Sequence, residues 1–546
     1  MKKLLQPVVA VLVTLTVMMS GCSSSGETAK PASTDQKPAE EKSSAKMVSI
    51  GVFNPPMSFN PLISSRDLSS AELGTLLFEP LINRIEPLQF LPQLAESFDT
   101  TDKQTYTVKL NPNAKWTDGT AVTTEDVAYT LALIANPKVE STLGSSIAFL
   151  EGVGPDGKLP EGQTEISGLK IVDAQTFELR AKNPTDPNMI KEQFGMKFKA
   201  LPKHVLKDVK PEELVKHPFM QNPNVTNGAF TLVKYEKDQY VEFAANKAYY
   251  RGAPKLDKIF VKIMPGTNLV AQLQSGEIDM NYGLGIGNVP DQDYELLGKN
   301  ENLRTKLEPQ VGIQAMMLNT KTIENGKVRQ AIAHAINRQL IVDNLMKGNA
   351  EIFDGLYPSL SAYQNKSLQP IPFDTEKAKS LLQEAGWDSN RELTFVVPTG
   401  NQIREQSAQI IAENLKAVGI KAKITKYDFA TVSQKLRKHE FDLALSGLYM
   451  NIDPDSSAYY HSKGLSNSSA YVNPEVDKLL EQGKAEADEK RRKEIYYQVQ
   501  AIVQQDVPLL TLYYNPALVA INKRVIKGEP RLFGTTYDVQ EWDVKE

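Results

Sequence analysis

The sequence predicts an α/β protein with more than one domain. In the C-terminal half, short apolar segments typical of buried strands alternate with amphipathic helical segments, which is the pattern of an α/β sheet. The chain has 546 residues. A single hydrophobic core rarely grows beyond about 300 residues, so we expect two or three domains. The 41% hydrophobic content is that of an ordinary soluble globular protein.

The first 46 residues are predicted to lie outside the folded part. Met1–Lys3 is positively charged, and Leu4–Met19 is an apolar run that is too short for a comfortable membrane span. Small residues then precede Cys22, as in the lipobox of bacterial lipoproteins. We therefore expect a signal peptide over residues 1–21 and lipidation, such as palmitate, on Cys22; the alternative is a plain signal peptide with an incidental cysteine. Residues 22–46 contain no aromatic or branched apolar side chain, which predicts a disordered tether.

Local patterns predict the strands and helices of the N-terminal part in turn. Residues 47–53 and 105–110 alternate as strands, whereas the prolines of residues 54–61 keep that segment extended. Thr123 and Asp126 have the spacing of a capping box, which predicts a helix that runs to Ala135. Further elements are a helix over 71–77, strands over 169–172, 176–180, 230–235, 240–245 and 257–264, and a helix from Asn268 that ends at Gly276.

The C-terminal half continues with longer helices. Residues 393–397, 404–418 and 420–427 form a strand–helix–strand unit, for which a right-handed crossover is expected. One continuous helix is predicted over 327–347, since apolar residues recur at helical spacing and Gly348 follows. The remaining elements are helices over 374–385, 430–438 and 488–505 and strands over 313–318 and 509–514.

One stretch of this half combines a strand with a polar loop. Phe441–Ser446 is predicted to be a buried strand that Gly447 breaks, and Pro454 prevents further pairing in the loop that follows. Ligands of open α/β sheets bind outside the carboxyl ends of strands. Candidate ligand residues here are Tyr449, Asn451, Asp453 and Asp455; the alternative is a polar surface loop around a buried tyrosine.

Composition and motifs exclude several classes of function. The net charge of −4 offers no basic surface for nucleic acid. Cys22 is the sole cysteine, which excludes internal disulfides, and the five histidines lack the spacing of a metal site. Gly152–Gly157 fits a dinucleotide-binding pattern, but it follows no parallel strand and opens no helix. We therefore expect no metal, no cofactor and no catalytic residues.

Several motifs together resemble one family, and they occur in its order along residues 48–530. They are Asp118–Val127, Gly228 with Tyr249–Asp257, Ser275–Asp279, Leu318-Asn319 with Val328–Ile332, Glu376–Gly386 and Gly447–Asp455. The family is that of the extracellular solute-binding proteins of family 5, which are oligopeptide and dipeptide receptors of ABC importers. The resemblance implies a two-lobed periplasmic-binding-protein fold (type II, cluster C) with an extra domain inserted in the first lobe. Its expected bounds are 47–80, 195–305 and 515–546 for lobe I, 81–194 for the extra domain and 306–514 for lobe II.

The resemblance also implies a function and a site. The chain would be a receptor, not an enzyme: a monomer that is lipid-anchored on the extracellular or periplasmic face of the cell membrane and passes oligopeptides to the permease subunits of an ABC transporter. Peptide would be held along its backbone in a cleft that closes by a hinge. The expected ligand contacts are Asn60, Tyr282, Gln314, Tyr357, Gly447, Tyr449, Asn451, Asp453 and Tyr513. The expected hinge crossings are Asn319 and the Leu509–Tyr514 strand.

The sequence leaves alternatives for two features of the site, the group that meets the ligand ammonium and the class of ligand. In many relatives an Asp after the equivalent of Gly447 binds the α-ammonium group of the peptide, but Asn451 stands at that position here. Asp453 is the nearest carboxylate, so we expect it to meet a ligand ammonium group, with capping of the turn as the alternative role. Other ligands on the same scaffold would be an oligosaccharide, a nickel chelate or haem, and a different class would be an extracellular hydrolase.

Overall fold

Three sheets organise the described part of the chain. The computed structural model describes residues 45–283, 285–310, 312–399, 401–449 and 452–545, without the side chains of Arg66, Phe429, Ala430 and Tyr449. Seven-stranded, five-stranded and four-stranded sheets carry most of the strands there. The predicted signal peptide, Cys22 and Asn451 lie outside the described residues. Within the described ranges, no helix is both long and apolar enough to cross a membrane.

The strands are, in chain order, β1 Met47–Val52, β2 Ile82–Glu86, β3 Gln89–Pro92, β4 Ala95–Thr100, β5 Thr105–Leu110, β6 Leu169–Ile171, β7 Thr176–Arg180, β8 Phe230–Glu236, β9 Tyr240–Ala245, β10 Lys258–Ile263, β11 Met280–Asn281, β12 Leu303–Glu308, β13 Gly312–Leu318, β14 Glu392–Pro398, β15 Lys421–Tyr427, β16 Leu443–Tyr449, β17 Leu509–Tyr513, β18 Ala517–Asn522, β19 Val525–Lys527 and β20 Asp543–Val544.

The α-helices are, in chain order, α1 Leu68–Leu73, α2 Thr124–Ala135, α3 Gly144–Ile147, α4 Pro187–Ile190, α5 Lys203–Leu206, α6 Pro218–Gln221, α7 Gly266–Ser275, α8 Tyr294–Gly298, α9 Gly326–Ala335, α10 Arg338–Met346, α11 Thr375–Glu384, α12 Gln402–Ala417, α13 Phe429–Lys438, α14 Ser457–Tyr460, α15 Pro474–Ala485 and α16 Glu489–Asp506.

The first sheet has the strand order β12-β18-β11-β1-β10-β9-β8. Its central strand β1 pairs in parallel with β10 and β11, so the carboxyl ends of these three strands share one edge. Both faces of the sheet are covered. Ile50 and Val261 belong to one hydrophobic cluster, whereas Leu518 and Ala520 of β18 belong to another, which also contains residues of α7.

The second sheet has the order β15-β14-β16-β13-β17. Strands β14, β15 and β16 are parallel, and β13 runs antiparallel between β16 and β17. The carboxyl ends of four strands therefore meet the amino end of β13 at one edge. Met316 and Leu318 pack on one face, and Ile313, Ala315 and Met317 pack on the other, because successive side chains of a strand alternate. This two-sided burial explains the continuous apolar run of β13.

The third sheet, of order β4-β5-β7-β6, is wholly antiparallel. Its apolar side chains, such as Phe98 and Val108, belong to the same hydrophobic cluster as β1 and β10 of the first sheet. The third sheet therefore shares a core with the first sheet.

The chain passes between the first and second sheets at two places, from β12 to β13 and from β17 to β18. Asn319 was expected to be the hinge, but it follows the far end of β13, away from both passages. Its side chain donates hydrogen bonds to the carbonyl groups of His439 (3.0 Å) and Phe441 (2.7 Å), both beside the start of β16. Asn319 therefore fastens one end of the second sheet internally.

Many local predictions are confirmed. The parallel β14–α12–β15 unit forms as expected. The backbone N–H of Thr123 donates to Asp126 at 3.0 Å, which completes the capping box of α2. Gly276 ends α7 in the left-handed conformation, with a φ of 79°, which glycine adopts without a Cβ clash.

Two local predictions are wrong. The expected helix over 327–347 is divided at Ile336, because Asn337 caps a new helix by accepting from the N–H of Leu340 at 2.9 Å. Gly447 does not break its strand: β16 continues to Tyr449, and Gly447 pairs with Gln314. A glycine keeps its backbone donor and acceptor, so a neighbouring strand on which to pair outweighs its conformational freedom here.

Candidate functional site

The edge where β14, β16 and β17 end and β13 begins brings together three of the predicted ligand residues. Gln314 of β13 pairs with Gly447 of β16 on one side and with Tyr513 of β17 on the other. The ladder shifts by one residue next to Gln314, which is a bulge between β13 and β17. Gln314 and Gly447 are half-buried, so this cross-strand pair reaches the surface at the edge.

Arg404 completes this group, although the sequence analysis did not single it out. Asn401 follows β14 and caps α12 by accepting from the N–H of Arg404 at 2.8 Å. The Nε of Arg404 then donates to Oε1 of Gln314 at 2.9 Å. A Cβ at Gly447 would lie 3.3 Å from Nη2 of Arg404 and 3.2 Å from Nε2 of Gln314. The glycine therefore leaves room for both polar side chains, and the capping asparagine after a buried strand was the available sequence signal.

Tyr513 lies behind this group and is 2% exposed. Burial raises the pKa of its hydroxyl above the ordinary value, although a hydrogen bond with Ser407 and the charge of Arg404 oppose this effect. The hydroxyl is therefore neutral at physiological pH. The edge thus presents one amide and one guanidinium group, whose N–H donors suit carbonyl and carboxylate oxygens of a ligand.

The loop after β16 is held by an ion pair between its carboxylate Asp453 and an arginine. Both oxygens of Asp453 accept hydrogen bonds from Arg492 of α16, at 2.8 and 3.0 Å. Oδ1 of Asp453 also accepts from the N–H of Asp455 at 2.9 Å. Asp453 is only 5% exposed. We expected this side chain to face a ligand ammonium group; the structure places it in a buried ion pair instead, because Arg492 supplies the opposite charge within the protein.

Tyr357 supports the same loop. Its hydroxyl donates to the carbonyl oxygen of Pro454 at 2.6 Å and lies 2.9 Å from Oγ of Ser456. It is buried with these partners, so it stabilises the loop conformation from the interior. The side chain of Tyr449 and all of Asn451 fall outside the described part of the chain, and their predicted contacts with ligand stay predictions.

The two candidates near the first sheet are also buried. The hydroxyl of Tyr282, which follows β11, donates to Glu72 at 2.9 Å. Burial raises the pKa of Glu72, although the hydrogen bond from Tyr282 and the charge of Lys199 oppose this. Asn60 accepts from the N–H of Leu62 at 2.9 Å, but its Nδ2 has no hydrogen-bond partner among the described residues. Asn60 is thus a buried donor within the segment that follows β1.

The two passages between the sheets are bonded to each other, which the sequence analysis did not foresee. Gln310, after β12, donates through its backbone N–H to the hydroxyl of Tyr514 at 3.1 Å and through Nε2 to the carbonyl of Asn515 at 2.6 Å. Tyr514 also exchanges two backbone hydrogen bonds with Glu351, at 2.7 and 2.9 Å. The passages therefore form one bonded unit beside the candidate edge.

Other parts of the described chain offer weaker sites. Its His, Cys, Asp and Glu side chains form no cluster of three that would hold a metal ion. A surface cavity of about 430 Å³ lies at the opposite end of β13, where Arg329 and Tyr471 line it. Both side chains form hydrogen bonds with Asp506: Arg329 donates to its carbonyl group, and Tyr471 donates to its carboxylate.

Comparison with known proteins identifies a family. The model of the bacterial extracellular solute-binding proteins, family 5 (middle region), matches residues 89–470. The chain is 28% identical to the oligopeptide-binding protein AppA of Bacillus subtilis, over 98% of this chain and 97% of AppA. The structure of AppA in complex with a nonapeptide matches with a TM-score of 0.73 at 26% identity, over 92% of this chain and 99% of AppA.

Two further relatives show the breadth of the similarity. The ABC transporter substrate-binding protein CtaP of Listeria monocytogenes matches with a TM-score of 0.81 at 25% identity, over 92% of this chain and 100% of CtaP. The heme-binding protein A of Haemophilus influenzae is 25% identical over 94% of this chain and 95% of that protein.

Proposed function

The chain belongs to family 5 of the bacterial extracellular solute-binding proteins, and we propose that it captures oligopeptides and delivers them to the permease of an ABC importer. The family consists of receptors rather than enzymes, and its structures have the type II periplasmic-binding-protein fold. The observation that carries the proposal is the similarity to AppA, which extends over nearly the whole chain and includes a structure with bound nonapeptide.

The sheets suggest how the lobes divide. We propose that the first sheet forms lobe I, the second sheet lobe II and the third sheet the extra domain over 81–194. Because β12 belongs to the first sheet and ends at Glu308, we place the start of lobe II after that residue instead of after residue 305. The hinge would then consist of the bonded passages around Gln310 and Asn515, not of Asn319.

The ligand would lie along the edge of the second sheet, facing lobe I. Gln314 and Gly447 would meet the peptide backbone, since this half-buried cross-strand pair reaches the edge. Arg404 would bind a ligand carbonyl or carboxylate group. Tyr449 and Asn451 stay candidates for direct contact. For the buried candidates Asn60, Tyr282, Tyr357, Asp453 and Tyr513, we propose that they shape the walls of the cleft.

The anchoring proposal concerns residues outside the described ranges. We propose that the signal peptide is cleaved before Cys22 and that the cysteine carries the lipid, so that a monomeric receptor is tethered at the outer face of the membrane. Two acyl chains give stable anchoring where one does not. Replacement of Cys22 by alanine is then expected to release the protein or leave it unprocessed, as cell fractionation would show.

Identification of co-purified ligand tests the proposed function. Mass spectrometry of the denatured protein is expected to find peptides of several residues with varied side chains, and calorimetry with a synthetic peptide library is expected to reproduce the binding. Binding of an oligosaccharide, haem or a nickel chelate, with no affinity for any library peptide, would replace the proposal with that ligand.

A further inference from the structure

Arg492 joins two parts of the molecule that are distant in the chain. It lies in the first turn of α16, and its guanidinium group contacts two carboxylates. One is Asp453 of the loop after β16, and the other is Asp186, whose Oδ2 lies 3.0 Å from Nη1. Asp186 caps α4, directly after the segment that carries the third sheet. The side chains of Arg492, Asp186 and Asp453 are 1%, 3% and 4% exposed, so the contact is fully desolvated.

The surroundings of Arg492 fix its position. Its Nε donates to the carbonyl group of Gly483 at 2.8 Å. The rings of Tyr363 and Tyr496 lie 5.9 and 5.6 Å from the guanidinium carbon, within the range of cation–π attraction. Arg492 is therefore held within the part of the chain that carries the second sheet, whether or not Asp186 is in contact.

The same two parts also meet at two places that involve no ion pair in the described structure. Lys103, in the turn between β4 and β5, donates to the carbonyl group of Ala487 at 2.7 Å. Leu88, in the turn between β2 and β3, packs against the core on one face of the second sheet. At this junction, both partners of the ion pair of Arg492 and Asp186 are buried.

The ion pair lies beside the loop after β16 that carries Asp453 and Asp455, hereafter the ligand loop. Helix α16 has 18 residues, so it is about 27 Å long and returns its first turn towards the edge where β16 ends. There Arg492 holds Asp453, two residues after Asn451. A rotation about the bonded passages that opens the cleft would separate Asp186 from Arg492, whereas Asp453 would stay with Arg492 in the same lobe.

We propose that Arg492 is a positioning residue that orders the ligand loop through Asp453 and latches the closed receptor by its contact with Asp186. This inference rests on the proposed function, since a latch acts only if the lobes close on a ligand. A buried, charge-assisted contact made only in the closed state slows opening and therefore slows ligand release. Asp453 and Asp186 thus have different roles. Asp453 stabilises the conformation of the ligand loop, and Asp186 stabilises the closed state of the cleft.

Replacement of Asp186 by asparagine tests the latch while it preserves the helix cap that Asp186 contributes to the fold. Oδ1 of Asp186 accepts from the N–H of Asn188 at 2.9 Å, and asparagine caps helices as well as aspartate does. Asp186→Asn therefore keeps the cap and removes the charge that faces Arg492. Asp374→Asn is the matched control, because Asp374 caps α11 by accepting from Lys377 at 2.8 Å and is exposed.

The measurement is stopped-flow dissociation of a fluorescent nonapeptide pool from the full chain. Asp186→Asn is expected to release peptide about tenfold faster, with a nearly unchanged association rate, which is the effect of one charge-assisted hydrogen bond. Asp374→Asn is expected to match the wild type.

Several outcomes would overturn the latch. A wild-type release rate in Asp186→Asn would do so and leave the proposed function intact, as would a loss of unfolding free energy without faster release. If Asp186→Asn does not fold, Asp186→Ser, which also caps, replaces it. If the wild type binds no peptide, the proposed function fails. The latch, which acts only on a receptor closed by ligand, then falls with it, whereas a wild-type release rate in Asp186→Asn overturns the latch alone.

Discussion

Arg338 and Arg492 are two buried arginines with the same chemistry and different surroundings. Arg338 is 3% exposed, donates to Asp354 at 2.6 Å and also donates to the carbonyl groups of Phe353, Ile371 and Thr511. All of these partners lie in the segment that carries the second sheet. Arg492 is equally buried, but one of its partners, Asp186, lies in another segment. A buried ion pair therefore stabilises the fold or a conformation, depending on whether its partners move together.

The largest effect is expected when the internal ion pair of Arg338 and Asp354 is removed. Arg338→Met leaves Asp354 buried without its counter-charge and deprives three carbonyl groups of a donor, so the free energy of unfolding is expected to fall by about 3–5 kcal/mol. Urea unfolding of the ligand-free protein measures it, and peptide affinity of the folded fraction should not change. Arg491→Met is the control, since Arg491 is exposed and pairs with Glu486 at the surface. A specific loss of affinity in Arg338→Met would remove the contrast between the two arginines.

A third buried cation, Lys199, extends the comparison, because no carboxylate among the described residues forms a salt bridge with it. Its ammonium group donates to the carbonyl group of Ala71 at 3.2 Å, and burial lowers its pKa to about 8 despite the charge of Glu72. The unfolded state therefore binds more protons between about pH 8 and 10.5, and the free energy of unfolding should rise with pH in that window. The expected gain from this group is about 3 kcal/mol.

The variant Lys199→Met tests this by difference. Methionine fills similar space without a charge, so the variant should lack the part of the pH slope that Lys199 contributes. Tyrosines and other lysines titrate in the same range, so the comparison with wild type at each pH is the informative quantity. Equal slopes in the two proteins would show that Lys199 is solvated or paired in solution.

Asp453→Asn tests the partner that moves with Arg492. The variant weakens two charge-assisted hydrogen bonds while Arg492 keeps Asp186, so we expect the free energy of unfolding to fall by roughly 2 kcal/mol. Free and acetylated peptides should lose affinity equally, because the carboxylate orders the loop and does not touch the ligand. A stability equal to wild type, with a loss confined to peptides with a free N-terminus, would instead restore the role expected from the sequence.

The smallest expected effect is at the edge itself. Gly447→Ala places a methyl group 3.2 Å from Gln314 and 3.3 Å from Arg404, so both side chains must shift. We expect about fivefold weaker peptide binding, equivalent to ~1 kcal/mol, with little change in the unfolding midpoint. Gly298→Ala in α8 is the matched control, because it lies away from this edge and a Cβ there meets no atom closer than 4.0 Å. Equal affinities in the two variants would exclude Arg404 from the site.

The sequence by itself determined the parts of this protein that depend on neighbouring residues. The capping box of Thr123 and Asp126, the left-handed glycine at 276 and the β14–α12–β15 unit follow from chemistry within a few residues or one helix. The apolar run of residues 313–318 likewise predicted a strand, which is β13. Where a local rule failed, as at Gly447, a neighbouring strand supplied hydrogen bonds that no local pattern shows.

Only the tertiary structure decided which polar side chains face one another. Asp453 was correctly located in a loop beyond a buried strand, but its partner Arg492 lies 39 residues later, and Asp186 lies 306 residues from Arg492. Arg404 meets Gln314 from 90 residues away. A carboxylate on a loop turns to whichever cation the fold brings nearest, and that choice depends on the packing of helices and sheets that are distant in the chain. The same residue types therefore permit a ligand site or an internal ion pair until the fold selects one.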